Sequence, residues 1–209
     1  MNLILFSIGW GLVGAAAGWF VRWGSVRLAR LEGLEPGDLS WQVFGPSILA
    51  ALLFGVFAFH FGPLPRLFER SVFILVLVQV IFFDFEHRLI LDRVMFPSMA
   101  LAFLVSLFGH PWWTNLAAGL GAGLLFLALA LAGSAIFKAE ALGFGDVKLA
   151  TFMGLLLGPL PTAQAVFYGV FMAGLVSIGI IVWHRSLKGT IAYGPYLAAG
   201  ALIVLFLLP

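Results

Sequence analysis

The sequence predicts an all-α bundle of about eight transmembrane helices with its N-terminus outside, and three observations carry that prediction. Of the 209 residues, 63% are hydrophobic and only 10% are charged, with mean hydropathy +1.12, more apolar surface than a soluble domain of this size needs. The apolar residues gather in runs close to the roughly 20 residues that carry a helix across a bilayer. In lipid only helices or closed barrels satisfy every backbone group, and runs this long are not barrel strands.

The first run, 2–21, lacks a basic leading segment and reads as a span, not a cleavable leader. The others cover 43–60, 70–86, 94–109, 114–136, 147–160, 164–184 and 192–208. The largest loop, 22–42, holds Glu32, Glu35, Pro36, Gly37 and Asp38 and reads as a polar turn with an amphipathic start. Small-residue stretches such as Gly14-Ala15-Ala16-Ala17-Gly18 and Gly119-Leu120-Gly121-Ala122-Gly123 are expected to let helix backbones pack closely. The whole chain, 1–209, reads as one membrane-embedded domain, with N-terminal spans in 1–69 and a core in 70–205.

Charge gives the orientation. With the N-terminus outside, Arg22, Arg27, Arg30, Arg88, Arg93, Lys138, Lys148, Arg185 and Lys188 are cytoplasmic, and only Arg66 and Arg70 are not. Trp112 and Trp113 then fall at the outer interface. Eight of the nine acids, all but Glu69, are cytoplasmic. The net charge of +2 is too small to indicate a nucleic-acid partner. The absence of cysteine excludes disulfides, a cysteine nucleophile and a thiolate metal site. No two histidines have metal-ligand spacing and no HExxH occurs, so no metal is expected. His87 is the histidine nearest the acids, and no histidine matches the depth of Ser98 or Ser106 for a serine protease.

Two aspartates stand out. Asp84 follows Ile81-Phe82-Phe83 at the end of an apolar run, where a carboxylate is expensive unless it is satisfied or neutral. Asp146 sits in Gly143-Phe144-Gly145-Asp146 just ahead of another run, followed by Lys148. Low dielectric opposes ionisation of a buried carboxylate, and a second one nearby separates the two titrations. Such a pair suits aspartyl proteolysis: one acid takes a proton from water while its protonated partner polarises the scissile carbonyl. Holding one water would require carboxylates within roughly 4–7 Å, and so the end of the third span beside the start of the sixth. Plainer readings stand alongside. Asp84 can pair with Arg88, Asp146 can be a helix N-cap, Lys148 can snorkel, and Glu140 can pair with Lys138 or Lys148. A non-enzymatic transporter or assembly subunit would place its acids near mid-membrane, not at one face.

Three stretches resemble the type IV prepilin peptidases. Asp84-Phe85-Glu86-His87-Arg88-Leu89-Ile90-Leu91-Asp92, closed by Pro97, is similar to the family's D-x-(D/E)-H-x-x-L-P-D-x-x-x-x-P segment, with Leu91 where proline is common. Glu140-Ala141-Leu142-Gly143-Phe144-Gly145-Asp146-Val147-Lys148-Leu149 is similar to E-x-M-G-x-G-D-x-K-L. Tyr193-Gly194-Pro195-Tyr196-Leu197-Ala198 resembles F-G-P-Y-L-A. The resemblance implies that Asp84 and Asp146 are the catalytic pair of a GxGD aspartyl endopeptidase. Gly143, Gly145, Lys148, Glu140, Asp92 and Glu86 would support the site or bind substrate. It also implies cleavage after a glycine that ends a basic leader, in prepilins of type IV pilus or type II secretion systems. The enzyme would lie in the bacterial inner membrane with its site facing the cytoplasm. Glu32, Glu35, Asp38, Glu86 and Glu140 would attract the leader. Preflagellin or presenilin-like GxGD proteases are the neighbouring alternative. Near the N-terminus, Gly18-Trp19-Phe20-Val21-Arg22 is similar to G-S-F-L-N, with Arg22 where asparagine is usual. Larger members then carry a four-cysteine domain and methylate the new pilin N-terminus with S-adenosylmethionine. Here about 20 residues stand in that domain's place and no glycine-rich cofactor motif occurs, so the expectation is proteolysis, without a cofactor and against methylation.

Overall fold

The computed structural model describes residues 2–109, 111, 113–137, 142–184 and 192–208. They form eight helices: α1 (Leu3–Leu31), α2 (Ser40–Phe61), α3 (Pro65–His87), α4 (Asp92–Ser106), α5 (Trp113–Phe137), α6 (Phe144–Leu157), α7 (Pro159–His184) and α8 (Gly194–Leu207). Among the described residues there is no strand. The all-α prediction therefore holds. The eight runs differ more than the sequence suggests. Only α1, α2, α5 and α7 are both long and apolar enough to cross a membrane by themselves. The third helix has the length, at 23 residues, but carries Arg66, Glu69 and Arg70 at one end and Asp84 and Glu86 at the other. Helices α4, α6 and α8 have only 15, 14 and 14 residues.

The chain divides into two compact units, Met1–Arg88 and Leu89–Pro209. In the first, α1 and α2 pack along their lengths through glycine. A Cβ at Gly14 would lie 2.5 Å from the Ala50 carbonyl oxygen, and one at Gly18 would lie 2.5 Å from that of Pro46. The small-residue stretch read as packing does that here. Side chains of α1 also reach α3: Trp10 Nε1 donates to Ser71 Oγ at 3.0 Å, and Ser25 Oγ donates to Gln79 Oε1 at 2.7 Å. Phe54, Phe57, Phe73, Ile74 and Leu77 fill the space between.

The expected loop 22–42 is shorter than the sequence suggests, because α1 runs on to Leu31. Arg22 finds a buried partner and the Arg27 guanidinium lies 3.7 Å over the Trp23 ring, so the charged stretch stays helical. Gly33, at φ 71°, then stops the helix in a left-handed conformation while Leu34 N–H donates to the Ala29 carbonyl at 2.8 Å.

In the second unit α6 is the central helix and packs against α4, α5, α7 and α8. Beyond Lys148 it is largely apolar on every side and carries buried Leu149, Ala150, Phe152, Met153 and Leu155, as expected of a helix surrounded by protein. Such a helix has no need to match the thickness of the bilayer. Gly119 and Gly154 bring α5 and α6 together, and Gly169 and Gly200 do the same for α7 and α8.

Candidate active site

Asp84 lies in the last turn of α3 and is 5% exposed. That turn is closed by the Arg88 N–H, which donates to the Asp84 carbonyl at 2.9 Å, and by Arg88 itself in a left-handed conformation at φ 53°. Two residues beyond Asp84, Glu86 makes a buried clamp. Arg22 Nη1 donates to Glu86 Oε2 at 2.7 Å, Arg22 Nη2 donates to the Gly37 carbonyl, and the Gly37 N–H donates to Glu86 Oε1. His87 Nε2 stands 3.4 Å from the same Oε1. Three segments, α1, the 32–39 loop and the end of α3, are thereby fixed through one carboxylate and one guanidinium. Both side chains are under 10% exposed, so the charges are compensated by each other and not by water.

Glu86, expected to support the site or attract a cationic leader, is turned inward here and occupied by Arg22 and Gly37. Arg22 is the residue whose role sequence reasoning missed. The signal was present, because an arginine at the edge of an apolar run requires a nearby acid.

Asp146 is built into the second unit differently. Gly143 is the N-cap of α6, so Asp146 occupies the third helical position and not the cap. The Asp146 N–H donates to the Gly143 carbonyl at 3.0 Å, and the Asp146 carboxylate lies beside the Gly143 backbone. Asp146 is 9% exposed. Gly145 is needed for close approach: a Cβ there would sit 2.9 Å from Ile90 Cβ, just ahead of α4. Two residues beyond Asp146, Lys148 pairs with Asp92, the first residue of α4, and lies 5.4 Å from the Phe96 ring centroid. Gly143, Gly145, Lys148 and Asp92 are thus grouped around the Asp146 turn. Glu140, with Lys138, lies outside the described residues, as do Trp112, Arg185 and Lys188.

The type IV leader peptidase family matches residues 71–178, just over half of the chain. A curated protein of Bacillus subtilis (strain 168), named prepilin leader peptidase/N-methyltransferase, is 30% identical over 169 residues. That alignment covers 79% of this chain and 66% of the relative, so the chain spans just under two thirds of its length. No solved structure matches the chain.

Proposed function

The chain belongs to the type IV leader peptidase family, and on that premise we propose that it is a membrane aspartyl endopeptidase. Its substrate is a type IV prepilin or pseudopilin. It removes the basic leader after a glycine, on the cytoplasmic side of the inner membrane. Asp84 and Asp146 form the catalytic pair. One carboxylate, ionised, takes a proton from the attacking water, and the other, protonated, donates to the scissile carbonyl oxygen. The water oxygen bonds to the carbonyl carbon to give a gem-diol. The carbon–nitrogen bond then breaks as the leaving amine takes the proton held by the first carboxylate and a diol hydroxyl returns its proton to the second. Glycines 143 and 145, with Lys148 and Asp92, set the turn that presents Asp146. Glu86 holds the turn that presents Asp84. The 1–209 chain acts as one peptidase domain, and proteolysis draws on no cofactor.

The observation that carries this reading is that one family match, 71–178, contains both aspartates. Each of them is buried in a turn fixed by a charged neighbour two residues on. The test is cleavage of a synthetic prepilin in liposomes by wild type, Asp84→Asn and Asp146→Asn, with the product weighed by mass spectrometry. Cleavage should fall by about 10²–10⁴-fold in each variant, the scale of acid–base catalysis, with folding retained. Activity in either variant would remove that aspartate from the pair. The product mass also tests methylation, an activity in the name of the Bacillus relative. We expect an unmethylated product.

A further inference from the structure

The two faces of α1 have different partners. Leu5, Leu12, Trp19, Trp23, Arg27 and Arg30 fall within about 80° of one another around the helix, and all six are exposed. The other side carries Gly14, Gly18, Arg22, Ser25 and Ala29, which are buried. With 29 residues the helix is about 43 Å long, against a hydrocarbon core of about 30 Å. One end therefore leaves the core, and the arginines put that end at Arg27 and Arg30. Along the outward face the order is aliphatic, then indole, then guanidinium, which is the order of core, interface and headgroup in a leaflet.

A second helix gives the same level for the interface. The glycine register of α1 with α2, Gly14 at Ala50 and Gly18 at Pro46, sets Trp41 opposite Trp23, and Trp41 is exposed as well. Arg27 lies one turn past Trp23, about 6 Å along the axis, and Arg30 about 10 Å past it. The polar layer adds about 5–8 Å to each side of the core. Helix side chains lean toward the N-terminus, here back toward the bilayer, so both guanidiniums reach headgroup depth. Arg27 does so visibly, with its guanidinium 3.7 Å over the Trp23 ring.

That stacking occupies the flat face of the guanidinium and leaves its N–H edge, the part that meets a phosphate through paired hydrogen bonds. Arg30, three residues on, is its neighbour on the same face. The third arginine of this end, Arg22, is turned inward to Glu86 and Gly37. It thereby draws Glu35 and Asp38, which flank Gly37, toward a side of the helix about 140° from Arg27.

We propose that Trp23, Arg27 and Arg30 form a binding site for the phosphate headgroup of an anionic phospholipid. Trp23 holds the Arg27 fork in place, and Trp19, Phe20 and Leu12, all exposed, continue the site toward the core as a wall for the acyl chain. A zwitterionic headgroup brings its own cation, which two guanidiniums repel. The site is independent of the proteolysis reading, because lipid binding is measured without substrate.

The test uses the full chain in detergent micelles doped with phosphatidylglycerol or phosphatidylcholine, with bound lipid counted by native mass spectrometry. Wild type should retain phosphatidylglycerol in preference to phosphatidylcholine. Arg27→Gln and Arg30→Gln should each raise the half-saturating phosphatidylglycerol fraction about five-fold, and together about 25-fold. Trp23→Leu, which keeps both charges, should raise it about two- to five-fold. All three positions are exposed, so the substitutions leave the packing of the unit intact. Arg66→Gln removes the same charge from the exposed start of α3 and should leave binding unchanged. Equal retention of phosphatidylglycerol by wild type and the double variant would overturn the proposal. An equal loss in Arg66→Gln would reduce the effect to net charge and overturn it too. Displacement of the lipid by inorganic phosphate would make this a site for a free anion, and not for a lipid.

Discussion

The two units fix their aspartates with the same device in different dielectrics. In Met1–Arg88 the charge two residues after Asp84 is Glu86, whose pair with Arg22 is buried and shares its hydrogen bonds with the Gly37 backbone. In Leu89–Pro209 the charge two residues after Asp146 is Lys148, 27% exposed, and its partner Asp92 is 53% exposed. A buried pair contributes little net stability, but losing one partner strands the other charge. A solvated pair loses little when broken, because water replaces the partner. The first device is thus a structural commitment, and the second is an adjustable contact beside a buried carboxylate.

The largest effect should come from breaking the buried clamp. Glu86→Gln keeps shape and acceptor capacity at one oxygen but leaves the Arg22 guanidinium without a counter-charge. The expected loss is about 3–5 kcal/mol of folding stability, measured as a lowered unfolding midpoint in detergent. A change below about 1 kcal/mol, the range of solvated pairs, would mean that water reaches the clamp. Next in size is Gly145→Ala. Its added methyl meets a β-branched side chain, Ile90, that cannot swing away, so overpacking should destabilise by about 1–3 kcal/mol. Ile90→Ala in the same chain should recover much of that loss, and failure to do so would place the strain elsewhere.

These contacts also mark what the sequence could and could not reveal. The bundle was legible, because apolar runs of membrane length have few alternatives. So were the aspartates, as isolated acids at the ends of such runs. The unequal lengths of the helices were harder to read. The sixth run continues through Gly158-Pro159 without a change in hydropathy, yet the chain turns at Gly158, φ 80°, with Thr162 Oγ1 donating to its carbonyl at 2.5 Å. Hydropathy measures whether a residue avoids water and does not distinguish lipid from protein, so buried α6 and lipid-facing α5 look alike. The Arg22–Glu86 clamp spans 64 residues, and nothing local to either residue names the other.

The smallest effects discriminate best between the two fixings. Exchanging the members of the exposed pair, Lys148→Asp with Asp92→Lys, keeps one attraction between two side chains in partial contact with water. Stability should stay within about 1 kcal/mol of wild type. The same exchange at the clamp, Arg22→Glu with Glu86→Arg, restores opposite charges but not the clamp. The Gly37 carbonyl accepts only from a donor and the Gly37 N–H serves only an acceptor, so each now faces the wrong partner. The buried exchange should therefore recover only part of the single-variant loss, leaving about 1–3 kcal/mol for the unsatisfied backbone groups. Full recovery would show that charge alone holds the loop to α3, and that Gly37 is a bystander. Partial recovery beside full tolerance at Lys148 and Asp92 would show that the first unit is held by directed hydrogen bonds and the second by proximity of charge.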